Sequence, residues 1–77
     1  MNVKKLMLKE IGNTCKRHRE KIGATQLEVA NDLKVSFQYV SLFEQGKADS
    51  MFFLIWYMKH GLILRDLIRI LEDYDRI

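Results

Sequence analysis

The chain has 77 residues, 48% of them hydrophobic and 30% charged, with a net charge of +3, one cysteine and no proline. That length supports one domain around one small core, so residues 1–77 are read as a single unit. A lone cysteine excludes an intramolecular disulfide, and the two histidines, His18 and His60, do not complete a metal cage with it.

The apolar fraction is too high for a disordered chain. The longest uninterrupted apolar run, Met51–Met58, is eight residues, far below the roughly 20 that span a bilayer. The start, Met1–Lys9, sets lysines beside a three-residue apolar patch with no cleavage-like site. No export signal is expected, and a reducing, cytoplasmic setting is. Charge is divided unevenly. Residues 1–47 hold nine Lys/Arg against five Asp/Glu, and residues 48–77 hold four against five. A polyanion would be met by the first part, unless these lysines are only a solvated face.

The first predicted helix runs from about residue 4 to 21, where Leu8, Ile11, Cys15, His18 and Ile22 recur at three- and four-residue spacing. Gly23 is its left-handed stop. Cys15 lies one turn from Ile11 and reads as a buried structural thiol rather than a redox sensor. Thr25-Gln26-Leu27-Glu28 fits a capping box opening a second helix over Gln26–Leu33, with Leu27, Val29, Ala30 and Leu33 as its apolar side. Lys34 centres the next turn. Ser36 is the N-cap of a third helix reaching Glu44 or Gln45, with Val40 and Phe43 pointing inward, and Gly46 ends it. Asp49 or Ser50 caps a fourth helix that carries Met51–Met58 and stops near Gly61, where His60 reads as a cap or a surface residue. Leu64, Leu67, Ile68 and Leu71, at i, i+3, i+4 and i+7, mark a fifth that fades over residues 72–76. No stretch alternates with period two for long enough to prefer a sheet. The expected fold class is all-α, a compact five-helix bundle.

Two short helices joined by a tight turn, residues 26–45, make a helix-turn-helix pattern. The surrounding residues are Ile11-Gly12, Arg17-x-Arg19, Gly23-x-Thr25-Gln26-x-x-x-Ala30, Leu33-x-Val35-Ser36 and Val40-x-x-Phe43-Glu44-x-Gly46-Lys47. Over roughly residues 8–71 the chain resembles the Cro and phage-repressor (XRE) type of helix-turn-helix domain. The resemblance implies a lambda-repressor-like fold and a sequence-specific regulator of transcription. Its partner would be double-stranded DNA with a palindromic operator, bound by a small repressor acting as a homodimer.

The resemblance puts Phe37, Gln38 and Leu42 at positions that approach base edges, with Ser41 beside them. A Gln38 amide can pair with both N6 and N7 of adenine, and Phe37 can pack on a thymine methyl. The alternatives are solvated surface for Gln38 and Ser41, a core contact for Phe37, and packing within the protein for Leu42. Phosphates are expected to meet Gln26 with the free amides of its helical turn, together with Gln45, Lys47 and Lys16. Lys9, Lys16, Arg17 and Lys34 add diffuse, salt-sensitive attraction. The resemblance also pairs Arg19 with Glu44 and lets Arg19 reach phosphate; the alternative is two independent surface charges. His18 is left open between DNA and plain surface.

Two departures stand out. Lys34 occupies a turn position where the family usually has glycine, which implies a left-handed lysine or a shifted turn. The fourth helix is apolar around its whole circumference, more than one small core absorbs. Phe52, Phe53 and Trp56 are therefore expected to face a partner, most simply a second copy, with residues 50–73 supplying both core and dimer interface. Burial of these aromatics against the fifth helix is the alternative. No carboxylate pair, Cys–His spacing or glycine-rich loop suggests an enzyme, and no cofactor, metal or small-molecule ligand is expected. The rival function is a protein-interaction module on the same scaffold, an antirepressor, antitoxin or accessory factor that binds a regulatory protein.

Overall fold

Five helices form among the residues that the computed structural model describes, 2–49 and 51–75, with side chains described to Asp73. They are α1 (Val3–Lys21), α2 (Gln26–Leu33), α3 (Phe37–Glu44), α4 (Phe52–Lys59) and α5 (Leu64–Asp75). The result is a compact, all-α bundle.

Local chemistry explains most of the boundaries. The Asn2 side chain accepts from the Lys5 amide at the start of α1. At α2 the Glu28 amide donates to Thr25 Oγ1 (3.1 Å) while Glu28 Oε1 accepts from the Thr25 amide (3.2 Å), a complete capping box. Ser36 Oγ accepts from the Tyr39 amide and opens α3. Such caps each contribute about 1 kcal/mol. α1, α3 and α4 close alike: the amides of Ala24, Lys47 and Leu62 reach back to the carbonyls of Arg19, Leu42 and Tyr57. α2 ends on Lys34, which takes the left-handed conformation at φ 58°, ψ 44°. Of the two outcomes open to a non-glycine residue in this turn, the strained backbone is the one adopted.

α4 starts differently from expectation. Met51 precedes it with no side-chain cap, and Asp49 pairs instead with Lys4 at 3.0 Å on the surface. Ser50 and Arg76 lie outside the described residues.

α1 packs against α3, α4 and α5, and α2 against α3 and α4. Two glycines set how closely α1 meets the end of α3. A Cβ on Gly12 would sit 2.6 Å from the Glu44 carbonyl oxygen, and one on Gly46 (φ +78°) 2.5 Å from the Lys9 Cα. Neither position tolerates a side chain. Beneath this junction lies the core of Cys15, Val29, Ala30, Val40, Phe43, Phe53, Leu54, Trp56, Tyr57 and Leu62. Its centre is aromatic: Phe43 stacks on Phe53 (4.8 Å between ring centres) and on Tyr57 (5.9 Å), and Trp56 meets Tyr57 edge to face.

Three expectations about burial are corrected. Phe53 (0% exposed) and Trp56 (4%) are core residues and cannot face a partner. The core accommodates Trp56 because its indole N–H donates to Asp32 (2.7 Å) and the His60 ring stacks on it (3.9 Å). Phe52 alone of the three stays exposed, leaning on Phe53. Ile22 and Leu27, placed on the inner faces of their helices, are exposed. So are Leu64, Ile68 and Leu71 of α5, where Leu67 and Ile70 do the packing. No described helix is long and apolar enough to cross a membrane.

Candidate nucleic-acid interface

Where α1 crosses the ends of α2 and α3, the surface opens into a polar cleft of about 440 Å3. α1 contributes Lys9, Asn13 and Lys16; α2 contributes Gln26 from its first residue; α3 and the turn after it contribute Ser41, Glu44, Gln45 and Lys47. A smaller depression lined by Lys5, Leu6, Lys9, Gln45, Gly46 and Lys47 adjoins it. The two share Lys9, Gln45 and Lys47, so a basic strip runs along one side of the molecule. Four of the predicted phosphate-binding residues, Lys16, Gln26, Gln45 and Lys47, converge here. Lys9, expected only to add diffuse charge, joins them, and Asn13 was not anticipated. Its position between Lys9 and Lys16, at helical spacing, is the signal that points to it.

The cleft rests on a buried carboxylate. Glu44 receives Arg19 Nε at 2.8 Å, Arg19 Nη2 at 3.0 Å, Gln26 Nε2 at 3.0 Å and the Tyr57 hydroxyl. Arg19 spends its remaining fork on the Ala24 carbonyl (2.9 Å). The Arg19–Glu44 pair is thus real and bidentate, not two independent surface charges. It also removes Arg19 from the phosphate-binding set, because the guanidinium is buried and its nitrogens are engaged inward. Gln26 keeps only part of its amide for a ligand, but Glu44 fixes the orientation of that part. Among the described residues no buried side-chain polar atom lacks a partner.

Burial alone would raise the Glu44 carboxyl; the hydrogen bonds from Arg19, Tyr57 and Gln26 outweigh it and hold the group below its ordinary value. Its bond to Glu44 raises the Arg19 guanidinium, while burial and the Glu44 carboxylate raise the Tyr57 hydroxyl. Burial, helped by the nearby Glu44 charge, pushes the Cys15 thiol up to about 12. Cys15 is accordingly an inert packing residue at neutral pH.

α3 shows solvent a mixed face. Gln38 is exposed, Ser41 is half-buried, and Phe37 (48%) and Leu42 (42%) stand out into solvent rather than into the core. Gln45 Nε2 donates to Ser41 Oγ at 2.8 Å and ties the C-terminal end of this face together. Tyr39 is exposed at its flank, edge-on to Phe53. No family model, curated protein or solved structure matches the chain.

The remaining charged candidates lie elsewhere. Arg17 lines a separate cleft between α1 and α5 with Glu10, Asp66, Arg69 and Asp73. His18 belongs to that cleft too, and its Nε2–H donates to the His60 carbonyl (2.9 Å), capping the end of α4. The His60 Nδ1–H donates in turn to the Trp56 carbonyl. Both histidines therefore act in helix termination. Among the described residues no cluster of His, Cys, Asp and Glu is placed to hold a metal ion.

Proposed function

We propose that this chain is a sequence-specific double-stranded DNA-binding regulator, a small repressor in which α2 and α3 act as a helix-turn-helix of the Cro and phage-repressor type. The supporting observation is the convergence of Lys9, Lys16, Gln26, Gln45 and Lys47 in one cleft beside the solvent-facing side of α3. A helix presented this way fits a major groove about 12 Å wide, with the cleft residues meeting the phosphates of its rim. Gln26 is oriented before any ligand arrives, because Glu44 already holds its amide. With the Glu28 and Val29 amides held by Thr25, the amides of Gln26 and Leu27 at the start of α2 add to the attraction for an anion.

The regulator acts as a homodimer, through a different surface from the one its aromatics first suggested. Leu8, Ile11, Met51, Ile55, Met58 and Leu67 border an almost wholly apolar groove of about 380 Å3 between α1, α4 and α5. Ile68 and Leu71 continue the exposed apolar surface along α5. A two-fold dimer brings the same patch of both chains together, so the ridge of one copy can enter the groove of the other. Sedimentation at micromolar concentration is expected to show two chains for the wild type and one for Ile55→Glu; a strictly monomeric wild type removes the dimer.

Selection of bound duplexes from a random library tests the function and recovers the operator together. Enrichment of a two-fold symmetric site is expected. Failure to prefer any duplex over random DNA, from low to physiological salt, removes the reading. The second reading, a module that binds a regulatory protein, is favoured by the same apolar groove, and it gains if no sequence is enriched.

A further inference from the structure

We infer that the half-site beneath α3 is made of A·T pairs, and that Phe37 and Leu42 select thymine through its methyl group. This rests on the DNA-binding reading above and adds the class of base pair that the site takes. The argument is an inventory of what α3 can offer a groove edge. Guanine is most often read by Arg or Lys, and cytosine N4 by Asp or Glu. Between Phe37 and Glu44 there is no Lys, Arg or His. The one acid, Glu44, is buried and already accepts from Arg19, Gln26 and Tyr57. Neither member of a G·C pair finds its usual partner on this helix.

What remains fits A·T. Gln38 is exposed with an amide that offers a donor and an acceptor at once, matching adenine N6 and N7. Phe37 and Leu42 flank it as exposed apolar groups with no core role, and the thymine methyl is the one apolar group in the major groove. Ser41 already accepts from Gln45 and retains a hydroxyl proton that discriminates little between bases. The cations that flank α3 in sequence, Lys34 and Lys47, lie in the turns at its two ends, and Lys9 and Lys16 share with Lys47 the cleft beside Ser41 that is assigned to the phosphates. Two apolar side chains facing solvent beside a basic cleft thereby acquire a partner of matching chemistry on both counts.

The test uses the full chain and the duplex recovered by selection, with deoxyuridine replacing each thymine in turn. Losing a contacted methyl is expected to weaken wild-type binding about fourfold, the equivalent of one buried methylene. The same replacement should leave Phe37→Ala or Leu42→Ala unaffected at the position that each reads. Both side chains are exposed, so these variants should keep the wild-type thermal melt, which is measured alongside. A recovered half-site of G·C pairs overturns the inference and leaves the DNA-binding reading standing, as does a site whose affinity ignores every uracil. A chain that selects no duplex overturns both.

Discussion

Glu44 shows how much a single side chain holds in this small domain. It joins α3 to α1 through Arg19, to α2 through Gln26 and to α4 through Tyr57. Removing one member of a buried ion pair leaves the other charge unmatched, which typically costs about 3–5 kcal/mol. Glu44→Gln is expected to lose stability of that order at neutral pH, read from urea unfolding. The folded carboxyl titrates below its ordinary value of 4.5. Its contribution is therefore fully present above the unfolded value and fades as pH falls through the lower, folded one. Stability of the wild type should drop on that acid limb, and the drop should be shallower in Glu44→Gln. Lys34 is the opposite case, a residue whose conformation opposes folding. A left-handed backbone costs a non-glycine residue roughly 1–2 kcal/mol, and glycine gives back about 0.5–1 kcal/mol in unfolded-chain entropy. Lys34→Gly is expected to gain about 0.5–1 kcal/mol, a few degrees in thermal midpoint for a chain this size. An unchanged or lower midpoint would show that the turn has relaxed around the lysine.

At the scale of helices, sequence and structure agree where local chemistry decides and part where tertiary contacts decide. Thr25 with Glu28, Ser36, Gly23 and Gly46 announce their helix ends because each satisfies backbone groups within a few residues. α4 has no such internal guide. Apolar residues occupy all of Phe52–Met58, so periodicity carries no phase and nothing local says which side turns inward. The phase comes from Asp32 on α2 and Glu44 on α3, which accept from Trp56 and Tyr57 and so draw that side of α4 into the core. α5 errs in the other direction: its stripe is amphipathic as read, yet the core uses Leu67 and Ile70 and leaves Leu64, Ile68 and Leu71 outside. Two substitutions one residue apart separate the faces of α4. Trp56→Ala is expected to cost about 3–5 kcal/mol as a core truncation. Ile55→Glu, at a site 66% exposed, should change monomer stability by no more than about 0.5 kcal/mol. Thermal melts at low concentration, where a dimer contributes nothing, measure both.

Over the whole molecule, charge is organised into sides that the chain order conceals. The excess of cations before residue 48 is plain from composition, but α1 distributes them around its axis. Lys9 and Lys16 turn toward the ends of α2 and α3, whereas Arg17 and Lys21 face α5 together with Glu10, Asp66 and Asp73. Adjacent residues, Lys16 and Arg17, thus sit in different electrostatic surroundings, one in a cation-rich cleft and the other in a charge-balanced one where Lys21 and Arg69 join it beside the carboxylates of Glu10, Asp66 and Asp73. That separation depends on where α5 docks, and α5 is distant in sequence. DNA binding should register it through salt. Each phosphate neutralised by a side chain contributes about 0.9 to the slope of log affinity against log salt. Lys47→Ala and Lys16→Ala are each expected to lower the slope by about 1 while weakening all duplexes alike. Arg17→Ala should leave the slope unchanged, because Arg17 faces away from the proposed DNA. Equal slopes for Lys16→Ala and Arg17→Ala would mean that the duplex responds only to total charge, and the cleft would lose its claim to the phosphates.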